Sequence, residues 1–256
     1  MPELRSHKPG MLCFADLCAS DLSAARGFYG ELFGWSFDAL RSADGRNAAL
    51  ALRDGKLVCA VAELMPAQRA QRLTARWTCH FAVTSAVEAA QRGADSGARL
   101  LAPPFSLGAA GELAVVADPF GAQFGLWQGN RRIGAEALGE PGALTWAELE
   151  THDIRAAGNF YGAIFGWSRQ ALKRGTESYT VFNAGDRGAA GMAHAQIEPA
   201  RWTPWFEVAD CDEAVQRAIQ LGGQLVSAPR ALPLVGRLAA LRDPEGARFA
   251  VLGPAR

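Results

Sequence analysis

The chain has 256 residues, 49% hydrophobic and 20% charged, so it can bury a core large enough for two domains. Its 26 Lys and Arg residues balance its 26 Asp and Glu residues, which disfavours nucleic acid and anionic membranes as partners. Five scattered cysteines form no C-x-x-C pair, so neither a disulfide framework nor a thiolate metal site is predicted. No secretory leader or membrane-spanning run stands out, and we expect a cytoplasmic protein.

The first module of the chain is predicted to contain one strand, one helix and three further strands. A strand-like run at 11–19 precedes Asp21, which can cap the N-terminus of an amphipathic helix. Gly34 suits the left-handed position that ends such a helix. Three short strand-like runs follow, with a turn signal at Asp54 and Gly55 between the last two. The next stretch of the chain repeats this order of elements.

The second half of the chain repeats the first half. The phrase GFYGELFGWS at 27–36 returns as NFYGAIFGWS at 159–168, RWTCHFAV at 76–83 as RWTPWFEV at 201–208, and DPFGA at 118–122 as DPEGA at 243–247. A period of about half the chain predicts a tandem pair of domains rather than a solenoid. The Gly-rich stretch at 129–144 is typical of a linker, so we place the domains at 1–135 and 136–256.

The repeated aromatic phrase has two interpretations. Tyr29, Leu32 and Phe33 recur at helical spacing, which favours a stripe that packs the helix against a sheet. The alternative is a box of aromatic side chains that binds a ligand. We favour helix packing, and we therefore look for chemistry on the strands.

Together these motifs resemble the vicinal oxygen chelate superfamily, which includes glyoxalase I, bleomycin-resistance proteins and extradiol dioxygenases. The resemblance is carried in each half by a strand, an Asp-Leu or Asp-Ile pair, F-Y-x-x-x-F-G-W and D-P-x-G-A, and it covers about residues 11 to 253. It implies an α+β fold of four βαβββ modules, paired into two tandem glyoxalase/bleomycin-resistance-like domains, each a curved mixed sheet that forms a cleft. The same scaffold carries isomerases, dioxygenases, lyases and metal-free binding proteins, so the fold alone does not define the activity.

The resemblance also implies three metal-ligand positions in each domain, and in this sequence they carry unsuitable side chains. The six residues at these positions are Phe14, Thr78 and Gly125 in the first half, and Trp146, Thr203 and Ala250 in the second. The hydroxyls of Thr78 and Thr203 are poor ligands for metals that prefer imidazole or carboxylate, and the other four positions offer no suitable donor. We therefore expect no metal and no other cofactor.

Strand alternation indicates which other side chains share a face with those positions. They are Asp16, His80 and Gln123 in the first half, and Glu148, Trp205, Glu207 and Arg248 in the second. Asp16 and His80 are either a general acid/base pair, in which the carboxylate orients the imidazole, or a structural pair whose members satisfy each other's hydrogen bonds. Both alternatives place the two side chains in the N-terminal cleft.

The sequence therefore favours a metal-independent protein that binds a small apolar or aromatic molecule in its clefts, as a monomer or a homodimer. The ligand would contact nine residues in the two clefts: Phe14, Thr78, Gln123, Trp146, Glu148, Thr203, Trp205, Glu207 and Arg248. The alternative is a glyoxalase- or dioxygenase-like lyase, isomerase or hydroxylase that uses Asp16 and His80 as catalytic residues. A third hypothesis is that one cleft is degenerate, so that each chain binds a single ligand.

Overall fold

A computed structural model of the chain describes residues 6–42, 45–71, 73–174, 177–232 and 235–255. The elements of the first half are β1 (Leu12–Ala19), α1 (Leu22–Phe33), β2 (Ser36–Arg41), β3 (Asn47–Arg53), β4 (Lys56–Glu63), α2 (Pro66–Ala70), β5 (Arg76–Ala82), α3 (Ala86–Asp95), β6 (Arg99–Ser106), β7 (Gly111–Ala117) and β8 (Gln123–Gly129). Those of the second half are β9 (Leu144–Thr151), α4 (Ile154–Phe165), β10 (Ser168–Arg174), β11 (Glu177–Ala184), β12 (Arg187–His194), β13 (Arg201–Glu207), α5 (Cys211–Gln220), β14 (Gln224–Leu232), β15 (Gly236–Arg242) and β16 (Arg248–Gly253).

The two halves form two eight-stranded mixed sheets with the same topology. The strand order is β2-β3-β4-β1-β5-β8-β7-β6 in the first sheet and β10-β11-β12-β9-β13-β16-β15-β14 in the second. In every module the first strand pairs in parallel with the last, and the other pairs within the module are antiparallel. A helix follows the first strand of each module, so the long connection between the two parallel strands runs through that helix and the two middle strands. The predicted α+β fold of two tandem glyoxalase-like domains is confirmed.

The repeated helices α1 and α4 begin and end where the sequence predicts. The carboxylate of Asp21 accepts hydrogen bonds from two backbone N–H groups of the first turn, at 2.8 and 2.9 Å, and that of Asp153 accepts one at 2.8 Å. At the other ends, Gly34 and Gly166 adopt φ values of 69° and 70°. Glycine adopts this left-handed conformation without the steric cost that other residues incur.

The buried stripe of α1 contains Tyr29 and Phe33 of the predicted stripe but not Leu32. The helix buries Ala25, Phe28, Tyr29 and Phe33, whereas Leu32 is only half-buried. The buried positions are spaced by three and four residues and so lie on one face, and Leu32 lies at its margin. No helix in the described ranges combines the length and the apolar character that crossing a membrane would need.

The chain folds into two compact units, and each unit takes segments from both halves. Unit 1 comprises residues 1–14, 78–134 and 146–203, and unit 2 comprises residues 15–77, 135–145 and 204–256. Unit 1 thus combines most of the two central modules, and unit 2 most of the two outer ones. Residues 135–144 of the predicted linker belong to unit 2. The domain boundary between residues 135 and 136 stays a prediction.

The core of unit 1 is organised around Tyr161. Its hydroxyl donates a hydrogen bond to Asp118 Oδ2 at 2.9 Å and accepts one from Trp202 Nε1 at 2.8 Å. The rings of Phe124 and Phe165 lie with their centroids 5.3 and 6.4 Å from that of Tyr161. Burial raises the pKa of Tyr161 well above its ordinary value. The hydroxyl therefore stays protonated and can donate its hydrogen bond to the Asp118 carboxyl group.

The core of unit 2 repeats this arrangement around Tyr29. Its hydroxyl donates to Asp243 Oδ2 at 2.9 Å and accepts from Trp77 Nε1 at 2.9 Å. The ring of Phe249 lies with its centroid 5.6 Å from that of Tyr29. Tyr29 and Tyr161 have no exposed surface. The interpretation of the repeated aromatic phrase as helix packing is therefore confirmed in both halves.

Candidate ligand-binding site

In unit 1, strands β5 and β8 bring four of the predicted residues to one face. Thr78 and His80 lie on β5, and Gln123 on β8 donates from its Nε2 to Thr78 Oγ1 at 3.0 Å. Phe14 of β1 lies beside them, with its ring centroid 6.1 Å from that of His80. The family resemblance supplied Phe14 and Thr78, and strand alternation added His80 and Gln123 to their face.

The imidazole of His80 lies against the backbone of β8. His80 is opposite Gly125 in the parallel register of β5 and β8. A Cβ atom added to Gly125 would lie 2.6 Å from Cε1 and 2.8 Å from Cγ of the imidazole, far inside van der Waals contact. His80 is 3% exposed, so its ring fills the space in which a side chain at position 125 would stand.

Trp127 belongs to the same face and was not among the predicted residues. It lies two positions beyond Gly125 on β8 and forms an apolar cluster with Cys13 and Ala82, against which Phe14 packs. Trp127 is 9% exposed, and its buried Nε1 has no hydrogen-bond partner in the part of the chain that the structure describes. The two-residue alternation that selects Gln123 also selects Trp127.

These five residues form one group on the first sheet, which we call the β5/β8 face. Its members are Phe14, Thr78, His80, Gln123 and Trp127.

The second sheet presents a more crowded surface in unit 1. Trp146 Nε1 donates to the hydroxyl of Tyr179 at 3.1 Å. A Cβ atom added to Gly191 of β12 would lie 2.7 Å from Trp146 Nε1 and would overlap the Tyr179 hydroxyl, so both side chains cover this strand next to Glu148. Thr203 is 2% exposed, and its Oγ1 has no hydrogen-bond partner among the described residues.

Asp16 lies in unit 2, half-buried on β1. The thiol of Cys18 donates a weak hydrogen bond to Asp16 Oδ2, with 3.9 Å between sulfur and oxygen. Burial, together with the nearby Asp16 carboxylate, raises the pKa of Cys18 to about 11. The thiol therefore stays protonated at neutral pH and is not an activated nucleophile.

The other predicted residues of unit 2 lie on β13 and β16. Trp205 is 5% exposed and is opposite Ala250 in the parallel register, the position that corresponds to His80 opposite Gly125. Glu207 is half-buried, and burial raises its pKa although a hydrogen bond with Thr145 opposes the shift. Arg248 is half-buried at the start of β16. Trp205 is thus almost completely buried, and its contact with a ligand stays a prediction.

The predicted catalytic pair consists of Asp16 from unit 2 and His80 from unit 1. Glu148 belongs to unit 1 and Arg248 to unit 2, and a pairing of these two side chains is likewise only an expectation from the sequence. Both pairings stay predictions.

The superfamily implies a divalent metal, and the side chains at its ligand positions do not fit one. Phe14 carries no donor atom, the Thr78 hydroxyl is hydrogen-bonded to Gln123, and the space at Gly125 is filled by His80. Across the described ranges, no group of three or more His, Cys, Asp or Glu side chains is arranged to hold a metal ion. A divalent site normally needs three protein ligands, and this donor set does not provide them.

Two open surface depressions lie along α4, away from the predicted residues. The larger, of about 550 Å³, is lined by Gly158, Asn159, Gly162, Gly166, Trp167, Ser168 and Arg169. The smaller, of about 390 Å³, is lined by Ser96, Pro119, Phe120, Ala156, Asn159 and Phe160. Neither lining gathers the acid, base and nucleophile groups that a reaction would need, so the β5/β8 face remains the stronger candidate.

Comparison with known proteins agrees with the fold and the repeat. A family model described as a glyoxalase-like domain matches residues 11–127 and 146–252. CFP32 of Mycobacterium tuberculosis (strain CDC 1551 / Oshkosh), provisionally named a glyoxylase, is 35% identical over 259 residues, covering 100% of this chain and 99% of that protein. The anthracycline biosynthesis protein DnrV of Streptomyces peucetius is 35% identical over 259 residues, covering 95% of this chain and 93% of that protein.

Among solved structures, the Mn(II)-bound glyoxalase from Novosphingobium aromaticivorans matches with a TM-score of 0.66 and 12% identity, covering 97% of this chain and 83% of that chain. At this identity the likeness concerns the fold alone. The chain therefore belongs to the glyoxalase-like family of the vicinal oxygen chelate superfamily, with two tandem domains.

Proposed function

We propose that this protein binds a small, flat, aromatic or apolar molecule without the divalent metal of its superfamily. The observation that carries the proposal is the composition of the β5/β8 face at the three ligand positions. It presents the ring of Phe14, the Thr78 hydroxyl already bonded to Gln123, and Gly125 covered by His80. Aromatic surface with a few placed polar groups is the usual lining of a small-molecule site.

The relatives support an aromatic ligand. DnrV, which is 35% identical to this chain, is named for anthracycline biosynthesis. Anthracyclines are polycyclic aromatic compounds, so this relationship favours a flat aromatic ligand for the present chain as well. The rings of Phe14 and Trp127 offer the apolar surface that such a molecule would contact.

A reaction at the same site is the second candidate. His80 is buried and fixed in place against Gly125, which is the positioning that a general base needs. CFP32 is provisionally named a glyoxylase, which also favours an enzyme of the lyase or isomerase type. In this hypothesis His80 takes and returns a proton and Asp16 orients it. A His80→Asn variant that retains binding but loses all turnover would support it.

The metal content of the protein tests the leading proposal. The chain is purified without an affinity tag or chelator, incubated separately with zinc, nickel, manganese and ferrous iron, desalted, and analysed by mass spectrometry. We expect far less than one equivalent per domain under every condition, because the face lacks three ligands. One equivalent per domain, retained after desalting, would contradict the metal-free proposal and favour the enzymatic one.

A further inference from the structure

We infer that Trp127 donates a hydrogen bond to an oxygen atom of the ligand, and that the ligands of the β5/β8 face are aromatic ketones and related oxygen acceptors. The inference rests on the proposed binding function and adds the chemical class of the ligand and the residue that selects it. It is carried by one buried indole N–H group and by its surroundings.

The indole of Trp127 differs in its hydrogen bonding from the indoles of five other tryptophans. Five other indole N–H groups donate to an acceptor of the protein: those of Trp35, Trp77, Trp146, Trp167 and Trp202. Trp127 Nε1 is buried and has no such partner in the described part of the chain. A buried donor without an acceptor is unfavourable, and native proteins rarely retain one without a reason.

The neighbours of Trp127 do not supply the missing acceptor. Its hydrophobic cluster consists of Cys13 and Ala82, with Phe14, Leu107, Ala110 and Leu113 packed against it. The carbonyl oxygen of Arg132 lies in the same region. A Cβ atom added to Gly129 would lie 2.7 Å from this oxygen and 3.1 Å from Trp127 Nε1. This oxygen nevertheless does not accept the indole N–H. An oxygen atom of a ligand that enters the cluster would supply the acceptor that the described residues do not provide.

The position of Trp127 suits an aromatic ketone. Phe14 packs against the Trp127 cluster, so a ring in contact with Phe14 would have its edge near the indole. An indole N–H only donates, and a carbonyl oxygen only accepts, so the pair is complementary. A hydrocarbon of the same shape would gain the ring contacts and leave the donor unsatisfied, which is the basis of selectivity for a polar substituent in buried sites.

The test compares 9-fluorenone with fluorene, which share a planar tricyclic frame and differ by the carbonyl group. Dissociation constants are measured by equilibrium dialysis for the full chain and for a Trp127→Phe variant. We expect the unmodified protein to bind fluorenone about tenfold more tightly than fluorene, since a buried hydrogen bond contributes on this order. The variant should bind the two probes with equal affinity, so the readout is the ratio of the two dissociation constants and not the affinity for either probe alone.

Three results would overturn the inference. Equal affinity for the two probes in the unmodified protein, or a preference for fluorenone that survives Trp127→Phe, would refute the role of Trp127 and leave the binding function standing. Failure of both probes to bind would instead remove the proposed binding function and the inference with it. Should the variant not fold, the indole N–H resonance of Trp127 in the unmodified, ¹⁵N-labelled protein decides: fluorenone and not fluorene must shift it.

Discussion

The hydroxyl of Tyr161 connects two of the repeated motifs, and its removal in Tyr161→Phe should destabilise unit 1 markedly. The variant loses a hydrogen bond to the Asp118 carboxylate and leaves the Trp202 N–H without its acceptor, while ring packing is kept. Hydrogen bonds to charged groups contribute about 1.5–3 kcal/mol, and an unsatisfied buried donor costs about 1–3 kcal/mol. Because the two effects share one group, we expect a total loss of about 3 kcal/mol in the free energy of unfolding.

The loss should depend on pH in a defined direction. Burial raises the pKa of Asp118, and the hydrogen bond from Tyr161 opposes that shift, so Tyr161→Phe should raise the pKa further. A carboxyl group whose pKa is higher in the folded than in the unfolded state stabilises the fold when it is protonated. This stabilisation is complete at pH values below the unfolded pKa of about 4, and it is lost as the pH rises through the folded pKa. The variant should therefore lose more stability at pH 7 than near pH 4.

Urea denaturation followed by near-ultraviolet circular dichroism, at pH 7 and near pH 4, measures both effects. A cycle with Asp118→Asn isolates the coupling between the two side chains. Tyr29→Phe in unit 2 is an independent repeat, because Tyr29 makes the same contacts with Asp243 and Trp77. A loss below about 1 kcal/mol, or a larger loss in acid than at neutral pH, would refute the reasoning.

Two further pairs of substitutions use the same denaturation assay. Thr203→Val should raise the free energy of unfolding by about 1 kcal/mol, because it removes a buried hydroxyl without a partner among the described residues. Thr78→Val should lower it by about 1 kcal/mol, because it breaks the hydrogen bond with Gln123. Equal effects of the two substitutions would contradict this reasoning. Gly125→Ala should lower the free energy of unfolding by about 1–3 kcal/mol, because the new methyl group displaces the His80 imidazole. Gly27→Ala should raise it by about 0.5–1 kcal/mol, because the new methyl group would stand in open space. A neutral Gly125→Ala would show that the imidazole moves freely.

Local signals in the sequence predicted the local structure well. Asp21 and Gly34 mark the ends of α1 because capping and the left-handed conformation depend on residues that are close in the chain. The same signals could not show that Tyr29 reaches Asp243, 214 residues away. Hydrophobic periodicity indicates that a residue is buried and does not identify the segment that covers it.

Only part of the candidate site was predicted, because here too the sequence signals are local. Alternation along β5 and β8 brought Thr78, His80 and Gln123 to one face, because a strand turns every second side chain the same way. From the sequence, Gly125 is only a missing ligand, whereas in the structure it is the position that lets His80 lie against β8. Trp127 was not predicted, because an aromatic residue in a strand usually belongs to the core. Its buried indole N–H without an acceptor among the described residues is visible only in the structure.

The division of each core between the two repeats has a consequence for the origin of the chain. Neither copy carries both the tyrosine and the aspartate of one core, so a gene for a single repeat would encode a polypeptide that needs a second molecule to fold, with a stability that depends on its concentration. Gene fusion replaces that encounter by an intramolecular one, at an effective concentration of about millimolar. Once joined, the copies can diverge, and this chain has kept His80 opposite glycine in one and placed Trp205 opposite alanine in the other.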